Sequence, residues 1–221
     1  MNLRLRQLVL PVLTLGLAAG SSMPVSAKPA APAKPGATAA AKPSAATAVA
    51  TFAGGCFWHV EHSFEQVKGV TSVVSGFSGG RTANPTYEQV ATRSTGHAEA
   101  VQVTYDPKVV SYAQLVDVFW HTIDPTDAGG QFCDRGDEYR TVAFYRTEEE
   151  RRVIEESKRR IEATAKLGAP IVTEVARFAT FYPAEDYHQD FYKKNPVRYH
   201  GHSVGCGGKA RLAKLWGKAA R

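Results

Sequence analysis

Cys56 stands in the run Gly54-Gly55-Cys56-Phe57-Trp58, after a glycine pair and before two aromatics. Thr51, Phe52 and Ala53 end a strand-like segment, the glycines supply a turn, and Phe57, Val60, Phe64 and Val67 then recur at helical spacing. The spacing puts the thiol at or near a helix N-terminus. Unpaired N–H groups and the helix dipole there favour the thiolate, the nucleophilic form of cysteine. A second reactive type lies in the run from Gly96 to Tyr105. Read as a strand, its period of two puts Glu99, Val101, Val103 and Tyr105 on one core-facing side, with Glu99 at the mouth of an apolar face. Desolvation raises a carboxyl pKa, so Glu99 is placed to keep a proton near neutral pH, as a general acid must. The run Phe132 to Arg140 gathers a thiol (Cys133), carboxylates including Asp134, and a phenol (Tyr139) in a loop before a strand. Each residue taken singly has a plainer account: Cys56 as a small buried side chain, Glu99 as a solvated or paired carboxylate.

These groups need a scaffold. Strand-like segments at Val70–Ser75, Glu99–Tyr105, Arg140–Tyr145 and Ile171–Phe178 are separated by helical patterns at Cys56–Val67, Ser111–Thr122, Thr147–Leu167 and Ala184–Lys194. Thr147, three residues before Glu150, reads as a capping box, and Gly168 with Pro170 marks that helix's end. Mixed elements with short connections predict an α+β fold, a two-layer sandwich with helices packed on a mixed β-sheet. Strand order is not readable from the patterns.

The termini are different in kind. Residues 1–27 combine Arg4 and Arg6, an apolar run from Leu8 to Gly20 and the small residues Val25-Ser26-Ala27, which predicts a secretory signal peptide cleaved after Ala27. The run is short for a membrane span and contains a proline, so no stable membrane association is expected after cleavage. Residues 28–48 hold Ala, Pro, Lys, Ser, Thr and Gly without a large apolar side chain, which predicts a disordered linker. Residues 49–221 are then of a size for one domain, with no internal repeat.

The pI near 9.2 points to an acidic partner only until the charges are located. Five of the 27 basic residues and none of the 21 acidic ones lie in the first 50 positions, so the remainder is nearly balanced. No nucleic-acid partner is expected, because that role needs a concentrated basic surface. The three cysteines, Cys56, Cys133 and Cys206, are an odd count that intrachain disulfides cannot exhaust, and no C-x-x-C occurs. In an exported chain a retained thiol must be buried or have work to do.

The motifs G-G-C-F-W, N-P-T-Y at Asn84–Tyr87, G-H-A-E-A-V at Gly96–Val101, D-P-T at Asp124–Thr126, D-R-G-D-E-Y-R at Asp134–Arg140 and A-E-D-Y-H-Q at Ala184–Gln189 resemble, in order and spacing, the A-type peptide methionine sulfoxide reductases. The resemblance covers Phe52 to Pro196. It implies a ferredoxin-like core, no metal, no cofactor, and preference for the S epimer of methionine sulfoxide, free or in proteins. It also implies roles. Cys56 attacks the sulfoxide sulfur and becomes a sulfenic acid. Glu99 protonates the leaving oxygen, and Tyr87 and Tyr139 donate hydrogen bonds to it. Asp134 holds the polar side of the pocket through water or a neighbouring hydroxyl, and Phe57 and Trp58 form the slot for the S-methyl group. Many members carry resolving cysteines just after an Asn-Pro, but here the residue close after Asn195-Pro196 is His200 and the tail thiol is Cys206. Cys206, in a glycine-rich and flexible setting, is the first choice for resolving cysteine, with Cys133 as the alternative. The resulting disulfide would be reopened by a thioredoxin or thioredoxin-like dithiol donor outside the cytoplasm, with the chain a periplasmic monomer.

Two other classes are open to the residues. A cysteine hydrolase or transferase could use Cys56 with His97 or His188 as base. A metal-binding module could use His200, His202 and Cys206, although that spacing lacks a clear fourth ligand.

Overall fold

The computed structural model describes residues 47–220. The expected signal peptide and all but the end of the expected linker lie outside these residues. The first strand begins at Ala48, one residue inside the stretch assigned to the linker. Among the described residues no helix is long and apolar enough to cross a membrane.

Six strands form the main sheet: β1 (Ala48–Gly54), β2 (Val70–Ser78), β3 (Ala98–Tyr105), β6 (Thr141–Tyr145), β7 (Glu174–Arg177) and β8 (Phe181–Pro183). Their order is β7-β6-β1-β3-β2-β8, while β4 (Gly130–Gln131) and β5 (Asp134–Arg135) pair as a separate small ribbon. Every pairing in the main sheet is antiparallel except β6 with β7. The helices are α1 (Phe57–Glu65), α2 (Tyr87–Ala91), α3 (Tyr112–Thr122), α4 (Glu148–Thr164), α5 (Phe191–Lys194), α6 (Pro196–Gly205) and α7 (Gly208–Trp216). The series β1-α1-β2-β3-α3-β6, with spatial order β6-β1-β3-β2, is the ferredoxin-like split βαβ arrangement that the resemblance implied.

The period-two reading of β3 places its residues correctly. Val101, Val103 and Tyr105 join the core under the helices, together with Phe52, Phe64, Leu115, Phe119, Trp120 and Ile154. Phe52 stacks between Phe64 and Phe119 with ring centroids 5.1 and 5.0 Å away, which ties β1 to α1 and α3. Burying each of these rings contributes about 1.5–3 kcal/mol. On the opposite face of the sheet, the small side chains Ala53, Ala98 and Ala100 pack with Val142 and Phe144.

Four expected elements change. Ile171–Phe178 keeps a strand only at Glu174–Arg177. Ala184–Lys194 is a helix only over Phe191–Lys194, because Asp190 takes φ = 54° and the Gln189 side chain binds Ser75 N–H and C=O. At α4 the Thr147 side chain accepts from Glu150 N–H, but the Glu150 carboxylate reaches past the cap to Arg146 N–H, so only half of the capping box forms. The glycine-rich setting of Cys206, read as flexible, is the junction between helices α6 and α7.

Candidate active site

The turn between β1 and α1 sets the thiol. Gly55 has φ = +86°, and a Cβ there would stand 2.5 Å from the Cβ of Gln131, so this position admits only glycine without strain. Gln131 in turn bonds both Asp124 N–H and Asp124 C=O, fixing the turn against the D-P-T segment. Cys56 is the N-cap of α1, and its carbonyl accepts from His59 N–H at 3.1 Å. It is 8% exposed and is a free thiol.

Glu99 opens β3 from the neighbouring register. Its Oε2 accepts from Phe57 N–H at 3.0 Å, so a carboxyl occupies the first free donor of α1 beside Cys56. Burial pushes its pKa up to about 8 against the opposing pull of that bond, so Glu99 holds a proton at neutral pH. The expectation for Cys56 is reversed. Burial, joined by the Glu99 and Asp134 carboxylates, pushes the thiol well above its ordinary value and outweighs the N–H groups of Trp58 and His59. The resting site therefore carries a proton on both groups.

A cavity of about 370 Å³ joins Cys56, Phe57, Trp58, Tyr87, Glu99, Asp134 and Tyr139, all of the residues that the resemblance marked for chemistry, with Arg198, Gly201 and His202. Burial first, then the nearby Glu99, raises Tyr87 to about 12 and pushes Tyr139 higher still, so both phenols remain hydrogen-bond donors. Trp58 stacks on Phe191 at 3.6 Å and donates its indole N–H to His188 Nδ1 at 3.1 Å.

The motifs act mainly by placement. Thr86 caps α2 in a full capping box with Gln89, which sets Tyr87 at the first helical position. Glu185 accepts from Tyr87 N–H at 2.9 Å, and His188 packs against the Tyr87 ring at 4.3 Å. His97 accepts from Gly80 N–H at Nδ1, which leaves Nε2 to donate to Thr82 C=O, and it thereby pins the loop leading into β3. With Nδ1 of each ring already accepting, neither His97 nor His188 has its usual basic nitrogen free for a Cys-His pair.

The tail contributes what spacing did not reveal. Arg211 Nε donates to Asp124 Oδ2 at 2.6 Å and Trp216 Nε1 to Ile123 C=O at 3.0 Å, docking α7 on the D-P-T segment. This holds α6 over the cavity. Asp134 meets a histidine directly, His202 Nε2 at 3.1 Å, where a water or a hydroxyl was expected. His59 and His202 both approach Cys56, within 4.8 Å as a group that includes Asp134. Burial and the nearby His202 lower His59 to about 4, so it is neutral beside the thiol. Cys206, at the junction of α6 and α7, forms a disulfide with Cys133 with Cα atoms 4.7 Å apart. The two rival resolving cysteines are thus partners. No cue in the sequence marks His59 or Arg198, while His202 stood out only as a possible metal ligand and Cys206 as both a possible metal ligand and the first choice for resolving cysteine.

The sequence model of the family described as peptide methionine sulfoxide reductase matches residues 48–220. A peptide methionine sulfoxide reductase MsrA of Listeria innocua is 52% identical over 167 residues, covering 76% of this chain and 94% of its own. The corresponding protein of Bacillus licheniformis is 48% identical over 170 residues, covering 77% and 94%. Among solved structures, methionine sulfoxide reductase A of Corynebacterium diphtheriae is similar with a TM-score of 0.62 and 32% identity, over 71% of this chain and 78% of that one. The reduced form of Mxr1 from Saccharomyces cerevisiae gives 0.64 and 30%, over 68% and 87%. With its cysteine, carboxyl and phenols on a ferredoxin-like core, the chain belongs to the peptide methionine sulfoxide reductase family and is an oxidoreductase of its A type.

Proposed function

We propose that this chain reduces the S epimer of methionine sulfoxide, free or in proteins, and that Cys56 is the nucleophile. The observation that carries the reading is the convergence of one buried thiol, one protonated carboxyl and two neutral phenols on a single cavity with an aromatic wall. Tyr87 and Tyr139 hold the sulfoxide oxygen, and Phe57 and Trp58 accept the S-methyl group. As Cys56 attacks sulfur, Glu99 gives its proton to the oxygen and takes the proton of the thiol. The hydroxylated sulfur then loses its oxygen as water with a second proton from Glu99, and a water adds to the Cys56 sulfur, returns a proton to Glu99 and breaks the Cys56–methionine S–S bond, giving methionine and a Cys56 sulfenic acid.

Recycling proceeds in two exchanges. The Cys206 thiol attacks the sulfenic sulfur, releasing water and forming a Cys56–Cys206 disulfide. Cys133 then attacks Cys206, freeing Cys56 as a thiol and leaving the Cys133–Cys206 disulfide. The Cys133–Cys206 pairing with Cys56 free is the end point of such a relay. A thioredoxin-like dithiol reduces the exposed pair and is itself oxidised. The signal-like first 27 residues favour a periplasmic monomer that repairs exported proteins; cell fractionation with the intact leader would place it in the cytoplasm if this is wrong.

Treating the reduced chain with methionine sulfoxide and mapping disulfides by peptide mass tests both halves. The wild type should give one methionine and the Cys133–Cys206 peptide, Cys133→Ser should stop at Cys56–Cys206, and Cys56→Ser should give no methionine. Methionine formation by Cys56→Ser removes the nucleophile assignment, and Cys56–Cys133 in place of Cys56–Cys206 reverses the order of exchange.

A further inference from the structure

The disulfide does not stand alone. His202 Nε2 lies 3.5 Å from Cys206 Sγ, 4.0 Å from Cys133 Sγ and 3.1 Å from Asp134 Oδ1, and Cys133 Sγ is 3.9 Å from that same oxygen. The donor atoms of all four residues fall within 4.8 Å of one another. In a tetrahedral zinc centre with Zn–S of about 2.3 Å and Zn–N or Zn–O of about 2.0–2.1 Å, adjacent donor atoms stand about 3.3–3.8 Å apart. Four of the six donor–donor separations are thus within about half an ångström of those edges, and the two sulfurs, bonded in the disulfide, part on reduction. Two thiolates, one imidazole and one carboxylate are also a donor set that zinc accepts, and histidine with cysteine selects it over magnesium or calcium.

We propose that the reduced Cys133–Cys206 pair, with His202 and Asp134, is a binding site for a thiophilic divalent cation of the zinc type. The disulfide and the metal are alternatives at one place. Reduction frees the two thiols, and the metal takes them as thiolates, releasing two protons to solvent. No electron moves in the binding step. Little chain movement is required, because Cys133 is exposed and Cys206 lies at the α6–α7 junction between Gly205 and Gly207, around whose backbones there is open space. The loop at 133–134 supplies two ligands, Cys133 and Asp134, to complete the set with His202 and Cys206, and His200 is not needed. Since His202 and Asp134 line the catalytic cavity, a bound cation also withdraws two of its walls and the thiol assigned to recycling. The cation is then a regulator of the reduced enzyme and takes no part in the sulfoxide reaction.

The test uses the reduced mature chain without oxygen, titrated with cobalt(II) as a spectroscopic probe and with zinc against a chromophoric chelator. Expected are thiolate-to-cobalt charge transfer and tetrahedral d–d bands that saturate at one metal per chain, absent from the oxidised protein. Cys56→Ser should keep the bands, while Cys133→Ser and His202→Ala should each lower zinc affinity by at least about 100-fold, since even outer-shell changes cost 10–100-fold. Circular dichroism of each variant checks that it folds. Octahedral cobalt spectra, equal binding by the oxidised chain, or bands lost in Cys56→Ser but kept in Cys133→Ser would overturn the site; the last would move it to Cys56 and His59. Binding is read in Cys56→Ser, which cannot turn over, so this result stands or falls apart from the proposed reaction.

Discussion

Cys56 and Glu99 compete for the same protons, and their order decides the pH profile. Glu99 loses its proton at about pH 8, whereas the thiol is held above its ordinary value by burial and by the same carboxylate. If both protons are needed, the single-turnover rate is flat below about pH 8 and falls above it by about tenfold per pH unit. A preformed thiolate attacking beside a protonated acid would reverse the sign, because that state carries one proton and gains population as the pH rises through 8. Stopped-flow rates across about pH 6–10 separate the two. Glu99→Gln should lower the rate by about 10²- to 10⁴-fold and abolish the inflection. The thiol and the carboxyl that share the cavity were legible as candidates, since a thiol after Gly-Gly and a carboxyl opening an apolar strand are local patterns. The thiol's protonation state was not, because helix position argues for a thiolate and only three-dimensional burial shows what opposes it.

At the scale of elements, the tail is the part that the sequence hid. Hydrophobic periodicity is a record of burial, and α6 has no buried residue; Val197 and Val204 on it are exposed. Such a helix leaves no stripe to read. Its position comes instead from the helix that follows it, through Arg211 on Asp124 and Trp216 on Ile123. Arg211→Ala leaves the buried Asp124 with Thr126 as its remaining side-chain partner and should cost about 1–3 kcal/mol. Loosening α7 should slow multiple turnover severalfold while sparing the first methionine released. Equal loss in both would mean that the tail shapes the cavity rather than the thiol exchange. The A-E-D-Y-H-Q segment erred the other way: its apolar spacing reads as helix, but His188 and Gln189 are committed to Trp58 and Ser75, and a left-handed Asp190 ends the turn.

For the whole molecule, keeping an acid protonated inside the core has a thermodynamic sign. Glu99 has a folded pKa of about 8 against an ordinary 4.5, so the folded state binds the proton more tightly. Its favourable contribution is complete below about pH 4.5 and is lost as the pH rises to about 8. Glu61, raised to about 7 by burial, acts in the same direction. The Tm of Glu99→Gln relative to the wild type should therefore increase as pH goes from about 5 to about 9; a constant difference would mean that Glu99 titrates normally. Strands β1, β2, β3 and β6, helices α1, α3 and α4 and the α+β class were legible, while β8 and the strand order were not, because they depend on pairings between segments far apart in the chain.

Cys133 faces solvent while Cys56 is buried behind α6. In the proposed relay, oxidising equivalents would pass out through the wall of the cavity to a thiol that a donor reaches without entering it. A donor acting by that route would need only the outer face at Cys133, which meets the cavity through Asp134 and His202.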